Sequence, residues 1–265
     1  MPSREISHED DRLTLIAISA LACILQDLLH EGLGHGLTAW LTGAHRLTMS
    51  TVALQSDIET RWISANGTLV NLLAGGILWL LLARLRPDRP AMRYFLVLAM
   101  AGNLFTGTGY FLYSGVFDFG DWAAVIRGLQ PHWLWRLGLV FVGAASYYAS
   151  MRIVAGSLKP FRSEDGSLRR LRRLSWTPYL SDGTLAVLAG LLNPAGWFYV
   201  LASAVPSTLG ANAGLLGLPR MVRELARTER GQVAPIRRSA AWIAAGVVAS
   251  LLFVLVLGRG LTWSR

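Results

Sequence analysis

The chain has 265 residues, 53% of them hydrophobic and only 15% charged, with a mean hydropathy of +0.42. An average soluble domain carries about 25% charged residues, so a fully solvated surface is hard to build, and the lone cysteine, Cys23, rules out a disulfide scaffold. The net charge of +9 does not mark a nucleic-acid binder, because the cations are gathered into short stretches between apolar runs. Arg84, Arg86, Arg89 and Arg93 outweigh Asp88. Lys159, Arg162, Arg169, Arg170, Arg172 and Arg173 outweigh Glu164 and Asp165. Arg220, Arg223, Arg227, Arg230, Arg237 and Arg238 outweigh Glu224 and Glu229. Basic loops between apolar helices are the positive-inside signature of a membrane protein, and anionic lipid already explains their charge.

A helix needs about 20 mostly apolar residues to cross the hydrocarbon core. The first such run begins at Leu13 and continues to Leu41. The string Ala20-Leu21-Ala22-Cys23 has the look of a lipoprotein cleavage site, but a basic segment before it is missing and the apolar run continues past it. An uncleaved helix is therefore expected. Segment 46–62, polar and β-branched, predicts a short strand or hairpin. Further spans are expected at 63–83, 94–116, 133–155 and 240–258. Region 179–218 is apolar but broken by Asn193-Pro194 and Pro206. It predicts a tight hairpin of two spans, for seven in all, or one span and a re-entrant piece, for six.

The expected fold is an all-α, polytopic transmembrane helical bundle forming one membrane-embedded domain over residues 1–265. With the basic loops inside, the N-terminus is cytoplasmic and residues 43–62 and 117–132 lie on the opposite side. An integral protein of a bacterial inner membrane is the expected setting, with the lipid bilayer as partner and no nucleic acid.

Ionisable groups inside a membrane segment are costly and mark functional sites by default. The first helix contains four, Asp27, His30, Glu31 and His35, in a chain with five histidines in total. A buried polar cluster serving structure alone is the plain alternative. The order His30-Glu31-x-x-x-His35 is one residue longer than the zinc-hydrolase helix H-E-x-x-H, in which the histidines bind Zn²⁺ and the glutamate activates water. At 3.6 residues per turn, side chains four apart lie about 40° apart around the axis and side chains five apart about 140°. A π-bulge returns them to one face, and Gly32, Gly34 and Gly36 make this turn deformable. One dipeptidyl peptidase family uses such an H-E-x-x-x-H helix for zinc.

Three stretches together resemble the site-2 protease family of intramembrane zinc metalloproteases. HEGLGHGLTAWLTGAH at 30–45 is similar to that family's HELGHALAA-type helix with one residue inserted. SANGTLVNLLAGGILWLLL at 64–82 is similar to its second helix, with Gly67 and Asn71 matching and Thr68 in place of a common proline. NLFTGTGYFLYSGVFDFGDWAAVIRGL at 103–129 stands where the family places a third zinc ligand, although the Asn-Pro-x-x-Asp-Gly turn is missing. The resemblance spans about residues 20–130, the metalloprotease-like core; 131–265 adds further helices.

It implies a zinc metallopeptidase that hydrolyses peptide bonds of a membrane protein or peptide within or beside the bilayer. His30, His35 and Asp121 are the implied Zn²⁺ ligands, with Asp118 as the second choice for the third. Glu31 is the implied catalytic base. Asn71 is expected to contact substrate or to make an interhelical hydrogen bond, and Asp27 to orient His30 from behind. His45 and His132 read as interfacial, structural residues. The alternatives are a zinc-dependent membrane hydrolase acting on a lipid or amide, and an inactive relative serving as scaffold or transporter. Membrane di-iron enzymes require about eight histidines, more than this chain has.

Overall fold

A computed structural model describes residues 9–86, 88–163, 165–194, 196, 198, 200–225 and 233–264. Helix accounts for 76% of the structure. Helix α1 (Arg12–Asp27) is started by Asp11, whose carboxylate accepts from the Thr14 backbone N–H at 2.9 Å and from its hydroxyl at 2.7 Å. It runs without a break through a π-helical segment (Leu28–Gly36) into α2 (Leu37–Leu41). The chain then turns through Gly43, whose φ of +96° favours glycine.

The expected hairpin is present as β1 (Arg46–Met49) and β2 (Leu54–Ser56), antiparallel and joined by a turn held by Ser50. Asp57 staples its open end by accepting from the Arg46 and His45 backbone N–Hs, which hold its carboxyl below the ordinary range. That contribution is intact at neutral pH and is lost as the pH falls below the ordinary carboxylate value of about 4. A third strand, β3 (Leu261–Ser264), pairs with the other edge of β1 and gives the order β2-β1-β3. The sequence reading had no place for β3, because four residues after two glycines carry too little pattern.

Helix α3 (Arg61–Arg84) is capped by the Thr60 hydroxyl, and α4 (Pro90–Phe117) starts on a proline at its first position. The short α5 (Asp121–Ile126) precedes α6 (His132–Leu158), and α9 (Ala240–Leu255) is capped by Ser239. Among the described residues, five helical stretches, Arg12–Leu41, Arg61–Arg84, Pro90–Phe117, His132–Phe161 and Ala240–Arg259, are long and apolar enough to cross a membrane. Region 179–218 differs from the expected pair of regular spans. Helix α7 (Arg169–Gly190) begins inside the expected basic loop and contains Pro178. The return passes through π-turns at Val200–Ala204 and Pro206–Gly210 and a 3₁₀ turn at Ala211–Ala213 before α8 (Gly214–Leu225). Pro206 removes a helical donor, and among the described residues neither arm meets the length and hydropathy of a span.

The main core gathers Leu15 and Ile18 of α1, Tyr94, Val97, Met100 and Phe105 of α4, Val154 and Leu158 of α6, Leu171 and Leu174 of α7 and Leu218 of α8. Of the most apolar stretches of the candidate spans, 61% of that on α1 is buried but only 17% of those on α6 and α9. Helix α1 is therefore central, and α6 and α9 turn Phe141, Leu251 and Leu252 outward, as lipid-facing helices do.

At the start of α1 a buried knot replaces apolar packing. Asp10, 4% exposed, takes Arg170 of α7 in a two-pronged pair at 3.0 and 3.1 Å and accepts from the Ile236 N–H at 2.8 Å. Arg170 also donates to the Val233 and Ala234 carbonyls. One residue thus ties α1, α7 and the segment leading to α9. Asp10→Ala leaves the guanidinium facing carbonyls alone and is expected to cost about 3 kcal/mol, measurable as a lowered unfolding midpoint in detergent.

Candidate metal centre

His30 and His35 both lie in the π-helical segment, where the Leu37 N–H bonds back to the Gly32 carbonyl five residues earlier. That i to i+5 bonding stacks residues five apart, so the two imidazoles share a face. Their Nε2 atoms stand 3.1 Å apart. The wide turn is accommodated by glycines. A Cβ on Gly34 would lie 2.5 Å from the Gly67 Cα, and one on Gly67 would lie 2.3 Å from His35 Nε2 and 2.8 Å from His30 Cε1. Helix α3 therefore passes directly over the two rings, and only glycine fits at the crossing.

The third group arrives from the far side. After α4 ends, Gly120 adopts φ +85°, ψ −166°, a conformation open to glycine, and the next residue points inward. Asp121 Oδ2 lies 3.2 Å from His30 Nε2 and 3.4 Å from His35 Nε2. Asp118 goes elsewhere. As the left-handed residue that ends α4 (φ 54°), it faces α6, 3.0 Å from His132 Nε2 and 3.7 Å from Arg136 Nη1. The second choice for a third ligand is thus not brought to the imidazoles, and His132 is its partner. His45 lies at the open end of the hairpin, just before β1, its N–H bonded to Asp57.

The hydrogen-bond network determines which nitrogens carry protons. The Asn103 amide NH₂ donates to the Ala99 carbonyl, so its Oδ1 is the acceptor for the Asn71 NH₂ at 2.7 Å. The Asn71 NH₂ also donates to the Gln26 carbonyl, which leaves Asn71 Oδ1 to face His30 Nδ1 at 2.6 Å. An amide oxygen only accepts, so His30 Nδ1 carries the hydrogen. His35 Nδ1 faces the Ile63 carbonyl at 2.6 Å and carries one for the same reason. In the neutral rings both Nε2 atoms then present lone pairs, to each other and to Asp121 Oδ2, a buried oxygen with no hydrogen-bond donor. Three lone pairs within 3.4 Å repel unless a cation lies among them. A proton can serve two of these atoms; a metal ion serves all three.

Two imidazole nitrogens and one carboxylate oxygen suit zinc. Bonds of 2.0–2.2 Å in a tetrahedron put ligand atoms about 3.3 Å apart, and the observed edges are 3.1, 3.2 and 3.4 Å. Among the described residues, His30, His35 and Asp121 form the group of this kind close enough to hold one ion. Glu31 is 6% exposed, has one carboxylate oxygen unpartnered, and shares the cavity lining with His35, Asp121 and Leu54 of β2. The site opens into a cavity of about 840 Å³ lined by Glu31, His35, residues 52–56 of the hairpin, Tyr110 and residues 118–121.

Of the two expectations for Asn71, the interhelical hydrogen bond is present: the residue is fully buried with its amide engaged on both sides, so it orients His30. The expected role of Asp27 needs correction. Asp27 does not orient His30, because Asn71 already holds the His30 Nδ1; the Asp27 Oδ2 is buried without a hydrogen-bond partner. Sequence reasoning passed over Tyr110, whose ring stacks on His30 at 4.9 Å and 21°, and over the Ile63 carbonyl, a backbone group with no sequence signal. No family model, curated protein or solved structure matches the chain.

Removing a partner that orients a metal-ligating histidine typically costs 10- to 100-fold in metal affinity. Asn71→Ala is expected to weaken zinc binding by about that factor. Gly67→Ala, which drives a methyl into His35, is expected to abolish it; zinc titration of the purified variants reads both.

Proposed function

We propose that this protein is a membrane-embedded zinc hydrolase cutting a peptide bond within or beside the bilayer, with the N-terminus cytoplasmic and the site in the outer half of the membrane. The observation that carries the reading is the convergence of the His30, His35 and Asp121 lone pairs on one point beside the carboxylate of Glu31. Zinc held there would act as a Lewis acid that acidifies water and polarises a carbonyl.

The chain's own residues do the rest. Asn71 and the Ile63 carbonyl fix the ring tautomers so that both Nε2 atoms stay free to bind metal. The unpartnered Glu31 oxygen accepts the proton of the attacking water and passes it to the leaving amine. Asn71 is occupied, so the phenol of Tyr110, on the cavity wall and within electrostatic reach of Asp121 and Glu31, is the donor for the oxygen that gains charge. Strand β2, paired on one side with β1, runs along the cavity wall through Leu54, Gln55 and Ser56 and offers backbone groups to an extended peptide.

Glu31→Gln is expected to retain one zinc per chain and to lose about 10²- to 10⁴-fold in turnover, and a chelator should abolish activity that added zinc restores. Full activity of Glu31→Gln on an identified substrate would remove this mechanism. Zinc bound without turnover of any peptide, lipid or amide would favour the inactive scaffold.

A further inference from the structure

A second cavity, of about 870 Å³, lies between α4, α6 and the 200–217 segment and meets the metal cavity at Tyr110, Tyr113 and Ser203. The two differ in chemistry. The metal cavity carries Glu59, Arg127 and His132 on its walls, whereas the second is walled by small apolar residues such as Gly210, Ala211 and Ala213. Beyond the tyrosines at the junction, the side-chain hydroxyls of that wall already donate within the protein. Ser203 donates to the Val52 carbonyl and Ser207 to the Ala204 carbonyl, and the Tyr147 hydroxyl donates to the Ala211 carbonyl while accepting from the Gly214 N–H.

These properties decide what fits. An extended peptide would enter with backbone N–H and C=O groups that the wall cannot pair, a cost that no water in the bilayer relieves. A helix pairs its own backbone but is about 10–12 Å across, so this volume holds under roughly two turns of one. A hydrocarbon chain brings no polar group and is thin enough to follow the cavity to the tyrosines.

We propose that the second cavity binds the acyl chain of the substrate. The protein then acts on an acylated peptide or amide whose chain lies against Ala213 while its polar part reaches past Tyr110 and Tyr113 to the metal. The choice of substrate rests on the hydrolase reading, whereas the binding of the chain is tested separately from it.

The experiment uses the full chain in nanodiscs with two photoactivatable probes. One is a peptide whose N-linked acyl chain carries a diazirine near its end; the other is a phospholipid with the same diazirine in one tail. The acyl-peptide is expected to label residues 109–117 and 201–217, to be displaced by the same peptide with a plain chain, and not by the unacylated peptide. Ala213→Phe should cut this labelling at least ten-fold with zinc content unchanged. A Cβ at Gly210 meets nothing closer than 3.9 Å, so Gly210→Phe provides a second filled cavity should Ala213→Phe fail to fold. Labelling of these walls by the phospholipid alone, or acyl-peptide labelling that both filled variants leave unchanged, overturns the proposal. Failure of labelling in a protein that holds zinc removes this inference only, and labelling in a protein that holds none removes only the metal reading.

Discussion

The candidate metal centre depends on a helix that is locally not an α-helix. Two histidines five residues apart point to different sides of a regular helix, and the π-turn at Leu28–Gly36 is what brings their Nε2 atoms within 3.1 Å. Such a turn is rare because it loosens the packed helical backbone. Here it is held from outside, by Gly67 of α3 pressed against Gly34 and against both rings, and by the bonds from His30 to Asn71 and from His35 to the Ile63 carbonyl. Helix α3 therefore does two jobs at one crossing. It stabilises the distorted turn and supplies the acceptors that decide where each imidazole keeps its proton.

The amide relay behind His30 shows why the polar residues of this bundle are not interchangeable. Asn103, Asn71 and His30 form a directed series that begins at the Ala99 carbonyl and ends at a free lone pair on His30 Nε2. Each member has one orientation compatible with its neighbours, so the series acts as a fixed reference for the ring. In a low-dielectric interior such a network is strong when every member is paired and costly when one is missing. Two atoms of the centre without hydrogen-bond partners, Glu31 Oε2 and Asp121 Oδ2, belong to residues that line the cavity.

Around this centre the molecule separates polar from apolar. The hairpin and α5 bring charged groups and strand backbone to one side of Tyr110, while α4, α6 and the 200–217 segment bring uncharged, largely apolar walls to the other. The irregular return through Pro206 makes the second space. Two regular helices at 179–218 would have packed closely, whereas π- and 3₁₀-turns leave room between them and α4.

Much was legible in residue order because its signals are local. Run lengths of apolar residues locate the five long helices, basic clusters mark the segments between them, and the improbable set Asp27, His30, Glu31 and His35 marks the centre. Even the need for a widened turn follows from a spacing of five against a period of 3.6. The tertiary structure alone decided the remaining points, because each is a meeting of distant segments. Asp121 and not Asp118 faces the imidazoles because a left-handed residue and then Gly120 redirect the chain after α4. Asn71 stands behind His30 and Asp27 does not, since helix crossing and not sequence separation sets which polar group meets Nδ1. The pairing of β3 with β1 and the joining of two cavities at Tyr110 likewise bring together residues far apart in the chain, where no local period or motif reaches.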